Sequence, residues 1–299
     1  MALPTGQISI SEVNIELNRP ATQQLDTDDP DLRELAATGG SGVGGAGTVV
    51  SMDNLRGKAR VSIVISANTA AAFTAYNLHT EATANANYRA GNTHVVLTVN
   101  PGIILRELQI PSSFNPGDRI NVINNGQILG AGGTGSPTFG EPSFGGTGLA
   151  VQRPVTVINN NLIAGGGGGG GVGAPGRGSP IPRPSRSGGP IPGSPFSGGG
   201  GGGGAGASTI ASGQVFGGTG GFPNGFTGTT SAGGAGGAAI PGFITSGAGG
   251  AGGNLAEAGT PGTPSPLGSG GSGFSGGAAV TGNPFITWGA FGTRTGPIS

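Results

Sequence analysis

Two unbroken runs of seven glycines, Gly165–Gly171 and Gly198–Gly204, limit what this chain can fold into. Segments without side chains cannot build an apolar core. They are either disordered linkers, or their backbones lie against one another at a spacing that any larger residue would prevent. Shorter glycine tracts follow at 233–237 and 247–253, and the segments between tracts contain proline, serine, threonine and phenylalanine.

The physical chemistry of extended glycine favours a bundle over a linker. Such a chain forms a left-handed threefold helix that rises about 3.1 Å per residue and has no internal hydrogen bonds. Every peptide N–H and C=O then needs an outside partner, which a neighbouring glycine helix can supply because no Cβ keeps the backbones apart. Ordering one residue costs about 1–2 kcal/mol, so several tracts must associate. We expect the alanine of a Gly-Gly-Ala-Gly-Gly tract to lie at the bundle surface, with its methyl turned out.

Composition excludes several classes of protein. The 299 residues include 70 glycines and 23 prolines, only 9% are charged, and the net charge is zero. A neutral chain is a poor partner for nucleic acid, and the absence of cysteine excludes disulfides and cysteine-based metal sites. The first positive charge is Arg19, so we expect no secretory signal and a protein made in the cytoplasm.

The first 60 residues contain three short helix signals. Ser9 and Glu12 have capping-box spacing, Asp29-Pro30 places a cap before a first-turn proline, and Ser51 precedes a third short segment. This region is predicted either to pack on the rest of the chain or to dock on a partner.

Residues 61–163 carry β-strand patterns. Strands are predicted at 61–65 and 93–99, the second followed by the turn Asn100-Pro101-Gly102 and an apolar run at 103–108, while 69–80 is weakly helical. The segment 122–130 is echoed at 157–165, 35 residues later, as strand, asparagine turn and strand. Adjacent asparagines favour a tight hairpin with positive φ, and the repetition indicates stacked units.

The predicted fold class is therefore mostly β and irregular. Short N-terminal helices occupy a docking region at 1–60, and a small β-rich domain with strand–turn–strand repeats spans 61–163. A bundle of polyglycine-II-type helices with exposed loops spans 164–299.

Candidate chemistry is sparse. His79 and His94 are the only histidines, and Gly42–Gly47 matches a phosphate-binding glycine pattern without the required strand and helix. The acids at 26, 28, 29 and 31 suit capping and solvation better than calcium binding. We predict no catalytic, cofactor-binding or metal-binding residues.

Recognition is the function that the segments between tracts favour. Arg177, Arg183 and Arg186 share one proline-rich segment and suit phosphate or carboxylate groups, although they could equally be solvated. The aromatic candidates for contact residues are Phe196, Phe216, Phe222, Phe226, Phe243 and Phe274. These rings could instead fill the sides of the bundle. Trp288 is expected to pack the last strand against the bundle rather than to bind sugar.

Several segments carry a family likeness. The opening 1–17 with the later 50–58 resembles the N-termini of many tailed-phage tail and virion proteins. The unit 120–133, the segment 159–164 before a seven-glycine run, and the ending 282–299 resemble glycine-rich phage tail proteins. The tracts with intervening loops resemble the receptor-recognising adhesins at the long tail-fibre tips of T-even phages.

This resemblance implies a virion protein of the tail fibre or tail tip. Its N-terminal region would bind other tail or fibre proteins, and its loops would bind a host outer-membrane protein or lipopolysaccharide. An oligomer is compatible with it. The alternatives are a purely structural head or tail component, an exported bacterial surface protein and, last, an enzyme, because Glu141 and Glu257 are the only acids after Asp118.

Overall fold

The computed structural model describes residues 7, 9–16, 22, 24, 32, 50, 55, 61–67, 75–91, 93–136, 143–180, 193–209, 215–216, 220–221 and 224–299. The described part is mostly β, with few helices. The chain divides into two compact units that interleave along the sequence. One contains Met1–Ile65, His79–Val96 and Ser113–Asn121, and the other contains Ser66–Leu78, Leu97–Ser112 and Val122–Ser299. The boundaries at 60 and 163 stay a prediction.

The described helices are α1, Ile10–Glu16, and α2, Leu78–Ala84. The predicted capping box starts α1: Ser9 N–H donates to Glu12 Oε2 (2.7 Å), and Glu12 N–H donates to Ser9 Oγ (3.2 Å). The backbone hydrogen bond from Ser9, helped by its hydroxyl, lowers the pKa of Glu12. The helix signals at 29–35 and 51–56 lie outside the described residues, except for Leu32 and Leu55.

The helix predicted at 69–80 is wrong at its described end, because α2 begins only at Leu78. Tyr76 N–H donates to the Arg106 carbonyl (3.0 Å), and Gln109 N–H donates to the Tyr76 carbonyl (2.8 Å). Pairing with a neighbouring strand therefore replaces the helical hydrogen bonds of this segment.

The strands fall into three main sheets, each built from equivalent parts of successive repeats. The sheet orders are β1-β2-β5-β8-β15, β3-β6-β9-β16 and β4-β7-β14, and the short pairs β10-β11 and β12-β13 are separate. The bounds are β1 Val61–Ala67, β2 Thr93–Val99, β3 Ile104–Arg106, β4 Leu108–Ile110, β5 Arg119–Asn124, β6 Gln127–Leu129, β7 Leu149–Val151, β8 Val155–Asn159, β9 Leu162–Ala164, β10 Gly176–Arg177, β11 Pro195–Phe196, β12 Ser208–Thr209, β13 Val215–Phe216, β14 Val280–Thr281, β15 Ile286–Ala290 and β16 Thr293–Thr295. A short 3₁₀ turn, Asn283–Phe285, precedes β15.

The echo at 35 residues is a structural repeat. Strands β6 and β9 pair in parallel with the register Gln127↔Leu162, Ile128↔Ile163 and Leu129↔Ala164.

The hairpin prediction, in contrast, is wrong. Strands β5 and β6 belong to different sheets, so the asparagines between them turn a corner of the stack. Among the described non-glycine residues, positive φ occurs at Glu107, Asn224 and Ala256, and not at these asparagines.

An asparagine ladder holds this corner together. Asn124 Nδ2 donates to Asn159 Oδ1 (2.8 Å), and Asn159 Nδ2 donates to the Phe291 carbonyl (2.8 Å). At the surface, Asn160 Nδ2 donates to Asn125 Oδ1 (2.8 Å). A side-chain amide has both donors and an acceptor, so identical residues can bond one above another. Asn124 and Asn159 are buried, which makes their hydrogen bonds part of the core.

The core of the second unit lies inside the stacked strands. Alternate residues point inwards, as the burial patterns of β5, β7 and β8 show. Its fully buried side chains include Leu97, Leu105, Leu108, Ile110, Val122, Ile128, Leu129, Leu149, Val157 and Ile163.

In the first unit, His79 packs between aromatic rings. Its ring centroid lies 4.9 Å from that of Phe114 and 6.2 Å from that of Tyr88, both in edge-to-face geometry. Tyr88 Oη donates to Asp118 Oδ2 (2.6 Å), and burial together with this bond raises the pKa of Tyr88 to about 12. These contacts give His79 a packing role.

The glycine tracts continue directly from the strands, and the period of their hydrogen bonds changes. Beyond β6 and β9, Gly130 N–H donates to the Ala164 carbonyl (2.8 Å) and Gly133 N–H to the Gly167 carbonyl (2.8 Å). Ser136 N–H donates to the Gly170 carbonyl (2.9 Å). The same neighbour is thus reached at every third residue.

Successive residues of the tract 165–174 donate to three different neighbours. Gly167 N–H donates to the Ala205 carbonyl (2.8 Å), Gly168 N–H to the Glu257 carbonyl (2.9 Å), and Gly169 N–H to the Ser143 carbonyl (3.0 Å). The cycle continues with Gly170 and Gly171. Counting accepted bonds as well, the hydrogen-bonded neighbours of residues 166–174 among the described residues are 133–136, 143–146, 199–205, 247–253, 257–263 and 271–277.

Side chains are excluded from the middle of this arrangement. Both seven-glycine runs are buried throughout. A Cβ added to Gly169 would overlap the Thr134 carbonyl, and one added to Gly201 would overlap the Gly170 carbonyl. In the outer tracts Ala235 and Ala251 are exposed, as expected, while the neighbouring glycines that point inwards are buried.

Gly169→Ala should destabilise the second unit more than Ala235→Ser, although each adds one heavy atom. The buried methyl meets a carbonyl, and overpacking costs about 1–3 kcal/mol or more, whereas the exposed hydroxyl should cost under about 0.5 kcal/mol. Thermal unfolding followed by circular dichroism measures the difference. Equal melting temperatures would contradict close backbone packing.

Asn159→Ala should destabilise the corner by about 1–3 kcal/mol, because it leaves buried ladder groups without partners. The control is Asn160→Ala, one residue along and exposed, which should cost under about 0.5 kcal/mol. Urea unfolding of both variants is the measurement. A larger loss for Asn160→Ala would refute the assignment of the buried ladder as the stabilising one.

Candidate recognition surface at the ends of the glycine tracts

The directions of the tracts bring several connections to one end. Tracts 130–136 and 165–174 run parallel away from the strands, and 199–205 returns antiparallel to them. Tract 247–253 runs parallel to 199–205, while 257–263 runs parallel to 168–174. The described parts of connections 175–197, 238–246 and 264–269 therefore lie at the end opposite the strands. Their described residues, 175–180, 193–197, 238–246 and 264–269, are called the far-end surface below.

Hydrogen bonds join these three connections. Arg177 N–H donates to the Ile244 carbonyl (2.9 Å), and Ile244 N–H donates to the Arg177 carbonyl (3.0 Å). Ser265 Oγ donates to the Pro175 carbonyl (2.7 Å). The antiparallel pair β10-β11 ties the two ends of connection 175–197 together, with Gly176 opposite Phe196 and Arg177 opposite Pro195. The far-end surface is thus one hydrogen-bonded layer.

Phe196 packs against backbone within this layer. Its half-buried ring lies over Gly176 and Gly242, and a Cβ added to Gly242 would be 2.6 Å from Phe196 Cζ. These glycines therefore let an aromatic ring contact the main chain closely. The ring also forms part of the wall of an apolar cavity of about 400 Å³ that opens to solvent. Val172, Pro175 and Pro195 form other parts of this wall.

Arg177 is the charged residue among the described residues of the far-end surface. It is half-buried, and its Nε is fully buried without a hydrogen-bond partner in the described structure. Pro195 is the register partner of Arg177, so these two side chains lie on the same face of the β10-β11 pair. Near them the surface exposes apolar groups: Phe243 is 66% exposed and Leu267 is 40% exposed.

The candidates predicted from sequence therefore fall into three groups. Arg177, Phe196 and Phe243 come together at the far-end surface. Phe226 and Phe274 lie along the tracts, where their backbones hydrogen-bond to Gly203 and Gly169. Phe226 is 63% exposed, and Phe274 packs edge-to-face on Phe144 at 4.7 Å. Phe216 is in β13, but its side chain is outside the described residues, as are Arg183, Arg186 and Phe222.

Two further residues of this surface, Ile244 and Leu267, were not predicted from the sequence. Ile244 forms two backbone hydrogen bonds with Arg177, and Leu267 is exposed in the connection 264–269. Both follow a proline in a short segment between glycine tracts, at Pro241-Gly242-Phe243-Ile244 and Pro266-Leu267. That pattern is a usable signal for a turn that carries an apolar side chain.

Trp288 packs within the last repeat. Its ring stacks on Phe291 at 6.1 Å, and Arg294 Cζ lies 4.8 Å from the Trp288 centroid. Trp288 Nε1 donates to Asn283 Oδ1 (3.0 Å). These partners come from the last strands and the turn before them. Packing of Trp288 against the glycine tracts stays a prediction.

The described residues contain neither a metal-binding cluster nor a candidate membrane span. No group of three or more histidines and acids there is arranged to hold a metal ion. None of the helices in that part combines the length and apolar character that a membrane span requires.

Comparison with known proteins gives a family and a fold. The model of the family "Phage tail fibre adhesin Gp38" matches residues 60–299. The fold is similar to a chain in the crystal structure of the gp37-gp38 adhesin tip complex of the bacteriophage S16 long tail fiber, with a TM-score of 0.54 and 20% identity. That similarity covers 99% of this chain and 94% of the other. Curated protein sequences yielded no significant match.

Proposed function

The chain belongs to the phage tail fibre adhesin Gp38 family, and from this premise we propose that its far-end surface contacts the host receptor. A tail fibre adhesin is a component of the virion tail, and the family is structural rather than enzymatic. Beyond the family assignment, we propose which surface binds the receptor, which part of the fold supports that surface and which region attaches to the fibre.

The platform is a bundle of polyglycine-II-type helices. Two observations support this assignment: tracts such as 130–136 reach the same neighbour at every third residue, and residues 166–174 have six hydrogen-bonded neighbours in the described residues. A threefold helix without side chains directs its peptide groups in this way. Because the interior tracts are bonded on all sides, the bundle is rigid enough to hold connections in fixed positions.

The observation that carries the proposal is the convergence of three connections at one end of this bundle. The far-end surface combines exposed Phe243 and Leu267 with the apolar cavity and the guanidinium of Arg177. Exposed aromatic and apolar groups beside a cation are typical of binding surfaces. We propose that the receptor is a host outer-membrane protein or lipopolysaccharide. Arg183, Arg186 and Phe222 remain proposed contact residues.

Attachment to the fibre is assigned to the other end of the chain. The structural neighbour is a complex of two tail-fibre proteins, gp37 and gp38. The family match covers residues 60–299, so the residues before it lie outside the family model. We propose that residues 1–60, which include α1 and two further helix signals predicted from the sequence, bind another tail-fibre protein.

Phage carrying Phe243→Ser and Leu267→Ser should adsorb to host cells at least about tenfold more slowly, because apolar contacts at the centre of an interface dominate its binding energy. The control is Phe226→Ser. Phe226 is as exposed as Phe243 but lies along a tract. Adsorption rate constants are compared on particles whose adhesin content has been checked by mass spectrometry.

Normal adsorption by the double variant would overturn the far-end surface as the receptor-binding site. A loss confined to Phe226→Ser would move the site to the side of the bundle.

A further inference from the structure

We infer that the glycine bundle is an insertion at one corner of a β-stack that folds without it, so that the bundle can open or change while the strands stay paired. Below, the β-stack means strands β3, β4, β6, β7, β9, β14 and β16, and the inserted bundle means residues 165–279. This goes beyond the proposed function, and only its consequence for adsorption rests on the far-end surface as the receptor-binding site.

The chain passes from the sheet β3-β6-β9-β16 to the sheet β4-β7-β14 at a single corner of the β-stack. In the first repeat one residue, Glu107, joins β3 to β4, and its φ is +46°. In the second repeat 130–148 occupies this place, between β6 and β7. In the third repeat 165–279 occupies it, between β9 and β14. The corner therefore accepts connections of very different length.

The strand registers show that these places are equivalent. Before the corner, Arg106 pairs with Leu129, and Leu129 pairs with Ala164. After the corner, Leu149 pairs with both Leu108 and Val280. The strands on both sides thus keep their alignment from repeat to repeat, whether one residue or the whole inserted bundle lies between them.

The two ends of each long connection meet at its base. Gly277 N–H donates to the Gly166 carbonyl (2.7 Å), and Gly146 N–H donates to the Ala131 carbonyl (2.7 Å). A segment whose ends lie this close can be inserted or altered without moving the elements on either side of it.

The β-stack and the inserted bundle are stabilised by different interactions. The β-stack buries large aliphatic side chains on its strands, among them Leu105, Leu108, Ile110, Ile128, Leu149 and Ile163. In the described residues of the inserted bundle the buried apolar side chains are alanines, so that part is held by backbone hydrogen bonds. One small apolar cluster joins the two parts, where Leu129 and Ala164 pack with Ala207. Parts that differ in this way open as separate cooperative units.

The dependence between the two parts runs one way. Strand β9 leads directly into the inserted bundle, and its register with β6 sets the bond from Gly133 N–H to the Gly167 carbonyl (2.8 Å). Farther from the corner the tracts bond to one another, as Gly202 N–H does to the Gly250 carbonyl (2.8 Å). Losing the strands therefore removes the alignment of the tracts, whereas losing bonds between tracts leaves the strand pairs intact.

Hydrogen–deuterium exchange of the full-length protein, followed by mass spectrometry of its peptides, tests this order. Gly201→Val places a branched side chain where a Cβ would overlap the Gly170 carbonyl. We expect amides in 199–205 and 247–253 to exchange at least about tenfold faster, because overpacking favours local opening by that factor or more. Amides of β6 and β9 should keep the wild-type rate. The control, Ala235→Val, adds bulk at an exposed position of the same bundle and should change neither part.

A core variant tests the reverse direction. Leu149→Ala leaves a cavity inside the β-stack and should speed exchange in the strands and in the inserted bundle alike. Faster exchange confined to the strands would show that the bundle has its own alignment, and it would overturn the one-way dependence. Faster exchange of β6 and β9 in Gly201→Val would overturn the insertion itself. If Gly201→Val is insoluble, Gly201→Ala replaces it, and insolubility of both would also overturn the insertion.

Phage particles separate this inference from the proposed function. Particles with Gly201→Val should carry the wild-type amount of adhesin by mass spectrometry, because residues 1–60 lie outside the insertion, and they should adsorb at least about tenfold more slowly. If the exchange results are as expected but these particles adsorb normally, the insertion stands and the far-end surface is not the receptor-binding site. If exchange spreads into the strands while Phe243→Ser and Leu267→Ser still slow adsorption, the receptor surface stands and the insertion is wrong.

Discussion

The fold of the glycine-rich part depends on one requirement: every peptide group in a side-chain-free tract must find its partner on another segment. Successive peptide groups of the tract 165–174 bond to different neighbours, and a Cβ would keep the neighbouring carbonyls out of reach. Interior glycines such as Gly169 and Gly201 show the consequence, since an added methyl at either would overlap a carbonyl. Glycine is therefore required here by close approach of backbones rather than by a need for positive φ. Where a tract meets solvent, as at Ala235 and Ala251, a methyl is tolerated.

The strand stack supplies what the tracts lack, namely a register. Glycine tracts have no side chains to distinguish one alignment from another, but β6 and β9 lead into the first tracts already paired 35 residues apart. The bonds from Gly130, Gly133 and Ser136 continue that pairing into the tracts. Buried Asn124 and Asn159 fix the same alignment at the preceding corner, because their amides bond one above the other. The apolar core thus orders the first tracts, and these serve as partners for the later ones.

The division of labour in an adhesin follows from this arrangement. Interior positions of the tracts leave no room for a side chain, whereas the connections at their ends are not limited in this way. Three of these connections form the far-end surface, where Arg177, Phe196 and Phe243 converge. A rigid bundle beneath them reduces the conformational entropy lost on binding. The same bundle lets different side chains be presented without a change of fold.

Local elements and the chemical character of the loops could be predicted from the sequence. The Ser9–Glu12 spacing predicted the cap of α1, alternation predicted β2, and the repeated asparagine segments predicted stacked units. The glycine runs identified segments that must pack by backbone, and the arginine and aromatic positions included three residues of the far-end surface. The pairing of the strands could not be predicted from the sequence. The asparagine segments turn corners and do not form hairpins, because each strand pairs with the equivalent strand of another repeat. Likewise, whether two connections lie at the same end of the bundle depends on which tracts run parallel. Glycine has no side chain, so the residues of a tract do not indicate the direction in which it runs. The sequence alone therefore determined which segments must associate, whereas only the tertiary hydrogen bonds decided which neighbours they meet and which loops form one surface.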